Sequence, residues 1–240
     1  MCTVSFVPNR NGFYLAMNRD EKRSRATALA PAIVELDGHR AILPREPDGG
    51  SWISLNDAGT CLALINWHRV ERKPFERIAS RGEIVRELGA KPSSDAIGNG
   101  LTNLPLRTIR PFRLIAVVPR EKSVTEWRWN LEGLSGRKLP WDSQHWFSSG
   151  FDELQAEVER RCVCARAQGR PAARTLDWLR QLHRSHEPKR GPFSICMHRP
   201  DAATVSYTEV SVTGKSAVMR YADGSPCSTK SSVTKRLAIL

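Results

Sequence analysis

The chain's chemistry starts at Cys2, because it directly follows Met1. Initiator methionine is removed when the next residue is small, and cysteine is small, so the mature chain is expected to begin at Cys2. A terminal cysteine holds nucleophile and base on one residue: a thiol with an ordinary pKa of about 8.5 beside an α-amine of about 7.7–8. The amine can take the thiol proton and later hand it to a leaving group, the part an adjacent base plays in other covalent sites. A small apolar side chain that merely starts an edge strand is the plainer alternative. Arg19 and Asp20 are the next candidates. Asp20 can accept a hydrogen bond from the terminal ammonium, and Arg19 can hold Asp20 or a substrate carboxylate. The same two residues would equally serve as an ion pair at a strand end.

A hairpin must position these groups. Two apolar runs, Thr3-Val4-Ser5-Phe6-Val7 and Phe13-Tyr14-Leu15-Ala16-Met17, flank Pro8-Asn9-Arg10-Asn11-Gly12. Asn11-Gly12 is a strong turn signal because both residues tolerate positive φ. The returning strand then delivers Asn18-Arg19-Asp20-Glu21 beside Cys2.

Met1-Cys2 followed by Asn18-Arg19-Asp20-Glu21 resembles the NRDE family, also called the transport and Golgi organisation protein 2 family. Further matching pieces occur in the family's order: Ser24-Arg25, Gly49-Gly50-Ser51-Trp52-Ile53, Leu64-Ile65-Asn66-Trp67 and Ser80-Arg81-Gly82-Glu83-Ile84-Val85. The match is specific over residues 1–90 and loose beyond. The resemblance implies an α+β fold, the four-layer αββα sandwich of antiparallel sheets found in N-terminal nucleophile hydrolases. It implies hydrolysis of a non-peptide C–N amide bond through Cys2, with no cofactor and no metal. It places Asn66 where an oxyanion donor is needed, although an asparagine that only ends a strand fits the same position. Asn18, Trp52 and Trp67, inside the matching motifs, become candidates for substrate contact. In two places the pattern departs from related cysteine acylases. Their Arg-Asn-x-Asp pattern, aligned on Asp20, puts the arginine at Met17, two residues before Arg19 and on the same strand face. Phe147-Ser148-Ser149 stands where many relatives carry Leu-Ser-Asn. The rival reading on the same scaffold is a non-catalytic binding or carrier protein for a lipid or haem-like ligand.

Composition bounds the alternatives. The 240 residues, 40% apolar with seven tryptophans, can bury a sizeable core. No apolar run approaches the roughly 20 residues of a membrane helix. No basic segment followed by an apolar one opens the chain, so a cytoplasmic location is expected. The net charge of +12 invites a nucleic-acid reading. Its arginines are spread over 69–81, 107–120 and 160–174 without any nucleic-acid-binding signature, so solvated faces are the simpler account and a small molecule the expected partner. The six cysteines show no paired Cys-x-x-Cys spacing, and Cys162 and Cys164 read as helix residues rather than metal ligands.

Along the rest of the chain, Ala32–Leu36 and Arg40–Leu43 read as strands joined by Asp37-Gly38. Trp52–Leu55 and Cys61–Ile65 make a second hairpin across Asn56-Asp57-Ala58-Gly59. Ser80 is expected to cap a helix over 81–88, with Glu83 closing a capping box. A second helix starts at Ser93 or Ser94 and points Ile97, Leu101 and Leu104 inward. Phe112–Val118 and Ser123–Trp129 are paired strands. In the helix 151–165, Phe151, Leu154, Val158, Cys162 and Ala165 recur at helical spacing and are expected to face the core, with Arg160 in solvent. Thr175–His183 is the last helix, with His183 and His186 exposed at its end. Phe193–His198, Ala203–Val210 and Ser216–Tyr221 are expected to close the sheet. A single domain is expected over 1–221, followed by a mobile basic tail over 222–240 that contains Cys227.

Overall fold

A computed structural model describes residues 2–71 and 79–240. Met1 and residues 72–78, part of the basic run 69–81, lie outside the described residues.

Thirteen strands are described, in two antiparallel sheets. The first has the order β10-β1-β2-β11-β12-β13, built from β1 (Cys2–Asn9), β2 (Gly12–Lys22), β10 (Gln144–Ser148), β11 (Ala202–Val212), β12 (Ser216–Asp223) and β13 (Val233–Ala238). The second runs β3 to β9 in sequence order: β3 (Leu29–Leu36), β4 (His39–Arg45), β5 (Ile53–Asn56), β6 (Cys61–Asn66), β7 (Phe112–Val118), β8 (Ser123–Trp129) and β9 (Leu134–Leu139). Alternation along the strands decides what lies between the sheets. Val4, Phe6, Phe13, Leu15 and Met17 of the first sheet pack on Ile42, Ile53, Leu55, Ala63, Ile65 and Ile115 of the second.

Helices cover both outer faces. Helices α1 (Gly82–Leu88) and α2 (Ser94–Asn103) place Ile84, Val85, Leu88, Ile97 and Leu101 on Leu62, Leu64, Leu114 and Ala116. Helices α3 (Glu153–Gln168) and α4 (Leu176–Arg184) place Val163, Cys164, Ala167, Trp178, Leu179 and Leu182 on Val7, Ala16, Phe147 and Tyr207. The result is the four-layer αββα sandwich. No helix among the described residues is long and apolar enough to cross a membrane.

Several local expectations need correction. The first hairpin turns on Arg10-Asn11, closed by the pair Asn9↔Gly12, and none of these residues has positive φ. Gly12 is required for a different reason: a Cβ there would sit 2.2 Å from the Val212 carbonyl oxygen on β11. Helix α3 is rotated relative to the expected phase, with Phe151, Leu154 and Val158 exposed and Glu153, Ala156, Arg160, Val163 and Cys164 buried. Cys162 is likewise exposed. The inward turn of Arg160 brings it to the buried Asp20 carboxylate, and leaving a buried charge unpaired would cost more than three exposed apolar side chains recover.

Ser80 accepts from the Gly82 N–H at 3.2 Å, while the first helical residue is preceded by Arg81, so the expected capping box with Glu83 is replaced. Phe193–His198 forms turns, with only His198 bridged to Ala203. Residues 222–240 are no loose tail. Tyr221 to Asp223 complete β12, and β13 pairs with β12 from Tyr221↔Val233 to Ser216↔Ala238, burying Leu237. Leu237 is the one buried residue of β13, so the segment Val233-Thr234-Lys235-Arg236-Leu237 carries little apolar alternation to mark it as a strand.

Candidate active site

The first two strands end together, as their pairing requires. Cys2 lies directly opposite Arg19 on β2 and opposite Ser148 on β10. Strand alternation then splits the polar tetrad 18–21 between two faces. Arg19 shares the inter-sheet face with Cys2, while Asn18 and Asp20 point to the helix layer.

On the inter-sheet face, a cavity of about 170 Å³ opens at this strand end, lined among others by Cys2, Arg19, Asp20, Trp52, Asn66, Arg81 and Arg110. Cys2 is buried, and its thiol accepts the backbone N–H of Asp20. Burial pushes the thiol pKa above its ordinary value, and the nearby Asp20 carboxylate adds to the rise. The Arg19 guanidinium carbon lies 4.3 Å over the Trp52 ring, and Nη2 donates to Glu46 Oε1 at 2.5 Å. Arg25 donates to the other oxygen of Glu46. Arg19 is thus fixed from both sides, by a ring face and a carboxylate. A second recess of about 330 Å³ shares Arg19, Glu21 and Arg25 with the first.

The cavity wall explains two of the sequence motifs. Gly82 packs directly on Gly50: a Cβ on Gly82 would stand 2.8 Å from the Gly50 Cα, and Ser51 donates its N–H to the Gly82 carbonyl at 3.1 Å. The Gly-Gly-Ser-Trp turn and the Ser-Arg-Gly helix start are one joint. It brings Trp52 and Arg81 to the wall of the same cavity. Arg81 donates to the Pro111 carbonyl, and burial, reinforced by the charge of Arg110, brings its pKa down to about 10. It remains cationic at neutral pH. Among the described residues, neither Arg81 nor Arg110 forms a salt bridge.

On the helix side, Asp20 is fully buried. Thr204 donates its hydroxyl to Asp20 Oδ1 at 2.6 Å, and Arg160 Nη2 approaches Oδ2 at 3.3 Å. Arg160 also donates to Thr3 Oγ1 at 2.9 Å and to the Phe193 carbonyl at 3.4 Å. Burial pushes the Asp20 carboxyl up, against the opposing pull of Arg160 and Thr204.

The residues singled out in the sequence therefore separate. Cys2, Arg19, Trp52 and Asn66 converge on the cavity together with the Asp20 backbone. The Asp20 carboxylate is turned to the helix side and held by Arg160 and Thr204, while Arg19, expected to hold Asp20, holds Glu46 instead. Asn18 does not reach the cavity: its side chain is buried on the helix side, donating to the His183 and Ile195 carbonyls at 2.9 Å each. Trp67 lies past the cavity, with the Arg128 guanidinium 5.7 Å from its ring. Neither lines the cavity, where substrate contacts were expected. His183 is also corrected, from an exposed helix end to a fully buried ring hydrogen-bonded to Asn18 and Ser5. Sequence reasoning missed Arg81, Arg110, Arg160 and Thr204. Arg81 sat within a quoted motif, so its position facing Gly50-Ser51 was a usable signal; the others reach the site from remote segments.

Solved structures share this architecture. A penicillin V acylase from Agrobacterium tumefaciens is 10% identical, with a TM-score of 0.56 over 93% of this chain and 83% of that one. A conjugated bile acid hydrolase from Clostridium perfringens appears twice. As a cysteine-to-alanine mutant it is 9% identical, with a TM-score of 0.58 over 93% and 89% of the chains. As an arginine-to-leucine variant it is 8% identical, with a TM-score of 0.57 over 99% and 97%. At these identities the likeness establishes the N-terminal nucleophile hydrolase fold alone. No curated protein matches the sequence. Residues 1–159 match the family described as Transport and Golgi organisation 2, and the chain belongs to that family.

Proposed function

We propose that this protein, once Met1 is removed, is an N-terminal cysteine amidohydrolase acting on a non-peptide C–N bond of a small anionic molecule. The observation that carries this reading is the convergence of Cys2, the Asp20 backbone N–H, Arg19 and Asn66 on one cavity. In the reaction, Sγ attacks the amide carbonyl carbon and the displaced π electrons become the oxyanion, which Asn66 stabilises. Collapse breaks the C–N bond as the Cys2 ammonium protonates the leaving nitrogen. Water, deprotonated by the same amine, then attacks the thioester and releases a carboxylic acid and the free thiol. Arg81 and Arg110 favour a substrate with a carboxylate or similar anion, because no carboxylate among the described residues pairs with them. The carrier reading has weaker support, because binding alone gives no reason for a thiol, an asparagine and a backbone N–H to meet on one cavity.

The test is turnover of a panel of N-acyl amino acids by Met1-free protein, followed by intact-mass detection of an acylated intermediate. Cleavage with transient acylation of Cys2 is expected, with none in Cys2→Ala. Asn66→Ala should lose about 10²–10³ in kcat. Binding of these compounds without cleavage or acylation by homogeneous Met1-free protein would favour the carrier.

A further inference from the structure

On the helix side of the first sheet, four side chains from three chain segments converge: His186 just beyond α4, Cys196 and His198 in the turns before β11, and Cys227 in the turn after β12. We infer that they form a tetrahedral Cys₂His₂ site for zinc. No spacing in the sequence announces it, and the absence of a metal was the expectation there. Only the fold brings Cys227 to the other three.

Distances support the assignment. His198 Nε2 lies 3.2 Å from His186 Nε2, 3.5 Å from Cys196 Sγ and 3.5 Å from Cys227 Sγ. All four donor atoms fall within 4.8 Å of one another. Tetrahedral bonds of about 2.3 Å to sulfur and about 2.05 Å to nitrogen put donor atoms roughly 3.3–3.8 Å apart. Hydrogen bonding alone does not account for the convergence. A neutral imidazole Nε2 offers either one proton or one lone pair, yet here it faces three partners at bonding distance. A single cation at the centre satisfies all four. Two thiolates and two imidazoles suit zinc in charge and in softness, and four protein ligands leave no open position, which is the mark of a structural site. Ligation through Nε2 leaves the His198 proton on Nδ1, so the exposed Arg190, 3.4 Å from Nδ1, must swing away into solvent.

The site stands behind the cavity. Met197, between two ligands, donates its N–H to Thr204 Oγ1, and Thr204 donates to Asp20. The same turns supply the Pro192 and Phe193 carbonyls that hold Arg160. Zinc would therefore stiffen the shell around Asp20. This inference does not depend on the proposed reaction.

The test uses untagged full-length protein, purified under reducing conditions, incubated with equimolar zinc and freed of excess by gel filtration. Elemental analysis should find one zinc per chain. Cobalt in its place should give thiolate-to-cobalt charge transfer and the intense visible bands of tetrahedral coordination. Cys196→Ser and Cys227→Ser should lose the metal and melt lower, whereas Cys162→Ser, on the exposed side of α3, should keep it. Arg190→Ala should bind at least as tightly. Little or no zinc on the unsubstituted protein, a pale octahedral cobalt spectrum, or a mass lower by two hydrogens from a Cys196–Cys227 disulfide would each overturn the assignment.

Discussion

Cys2 carries a tension between burial and nucleophilicity. Burial holds the thiol neutral by raising its pKa, and the neighbouring Asp20 carboxylate works the same way. The thiolate, though, is the nucleophile. Removal of Met1 resolves this, because it places an ammonium on Cys2 itself, and a positive charge so close favours the thiolate. We therefore expect processed protein to alkylate at Cys2 faster than protein that keeps Met1. The measurement is iodoacetamide labelling at limiting reagent near neutral pH, with modified peptides counted by mass spectrometry. Exposed Cys162 is the internal reference. Buried Cys164, pushed up to about 12, should stay unlabelled in both forms. Equal Cys2 rates with and without Met1 would remove the terminal amine from the mechanism.

At the scale of elements, α3 shows what was legible in the sequence and what was not. Its existence follows from local pattern, although Asp152, expected inside the helix, caps it instead and accepts the Gln155 N–H at 2.9 Å. Its phase does not, because Arg160 faces inward to meet a carboxylate 140 residues away in sequence. The same contrast holds for the site. Cys2, Arg19, Trp52 and Asn66 were legible because strand ends and short motifs place them. Asn18 was misplaced because a β-strand sends neighbouring residues to opposite faces, so adjacency within a motif is not adjacency in a cavity. Arg160→Leu should cost about 3–5 kcal/mol in denaturant unfolding, since it leaves the Asp20 charge buried and unpaired. Adding Asp20→Asn should recover part of that loss. If the single replacement is neutral, the ion pair does not set the phase of α3.

Over the whole molecule, the first sheet and its helices are joined through a chain of neutral histidines whose protons can be traced. Asn18 spends its amide N–H groups on two carbonyls, so its Oδ1 must accept from His183 Nδ1, at 3.0 Å. His183 Nε2 then accepts from the Ser5 hydroxyl at 2.9 Å, and Ser5 accepts from His145 Nδ1 at 2.9 Å. His145 Nε2 is left to accept from Gln168 at 3.2 Å. A second proton on either ring would meet a donor, and burial disfavours the charge as well, bringing His183 down to about 3 and His145 to about 4. Both stand near 6.5 in an unfolded chain. Between about pH 6.5 and pH 4 the unfolded state therefore binds protons that the native state refuses, so stability falls as pH falls. One such histidine removes about 2 kcal/mol between pH 7 and pH 5. Asp20, raised by burial, opposes the trend but is common to any His183 variant. Urea unfolding of the parent and of His183→Gln at both pH values isolates the effect. The variant should be less stable at pH 7, and its loss on acidification should be smaller than the parent's by about 2 kcal/mol. Equal losses in the two proteins would mean that His183 takes up a proton as readily in the native state as in the unfolded chain, and the neutral relay would have to be abandoned.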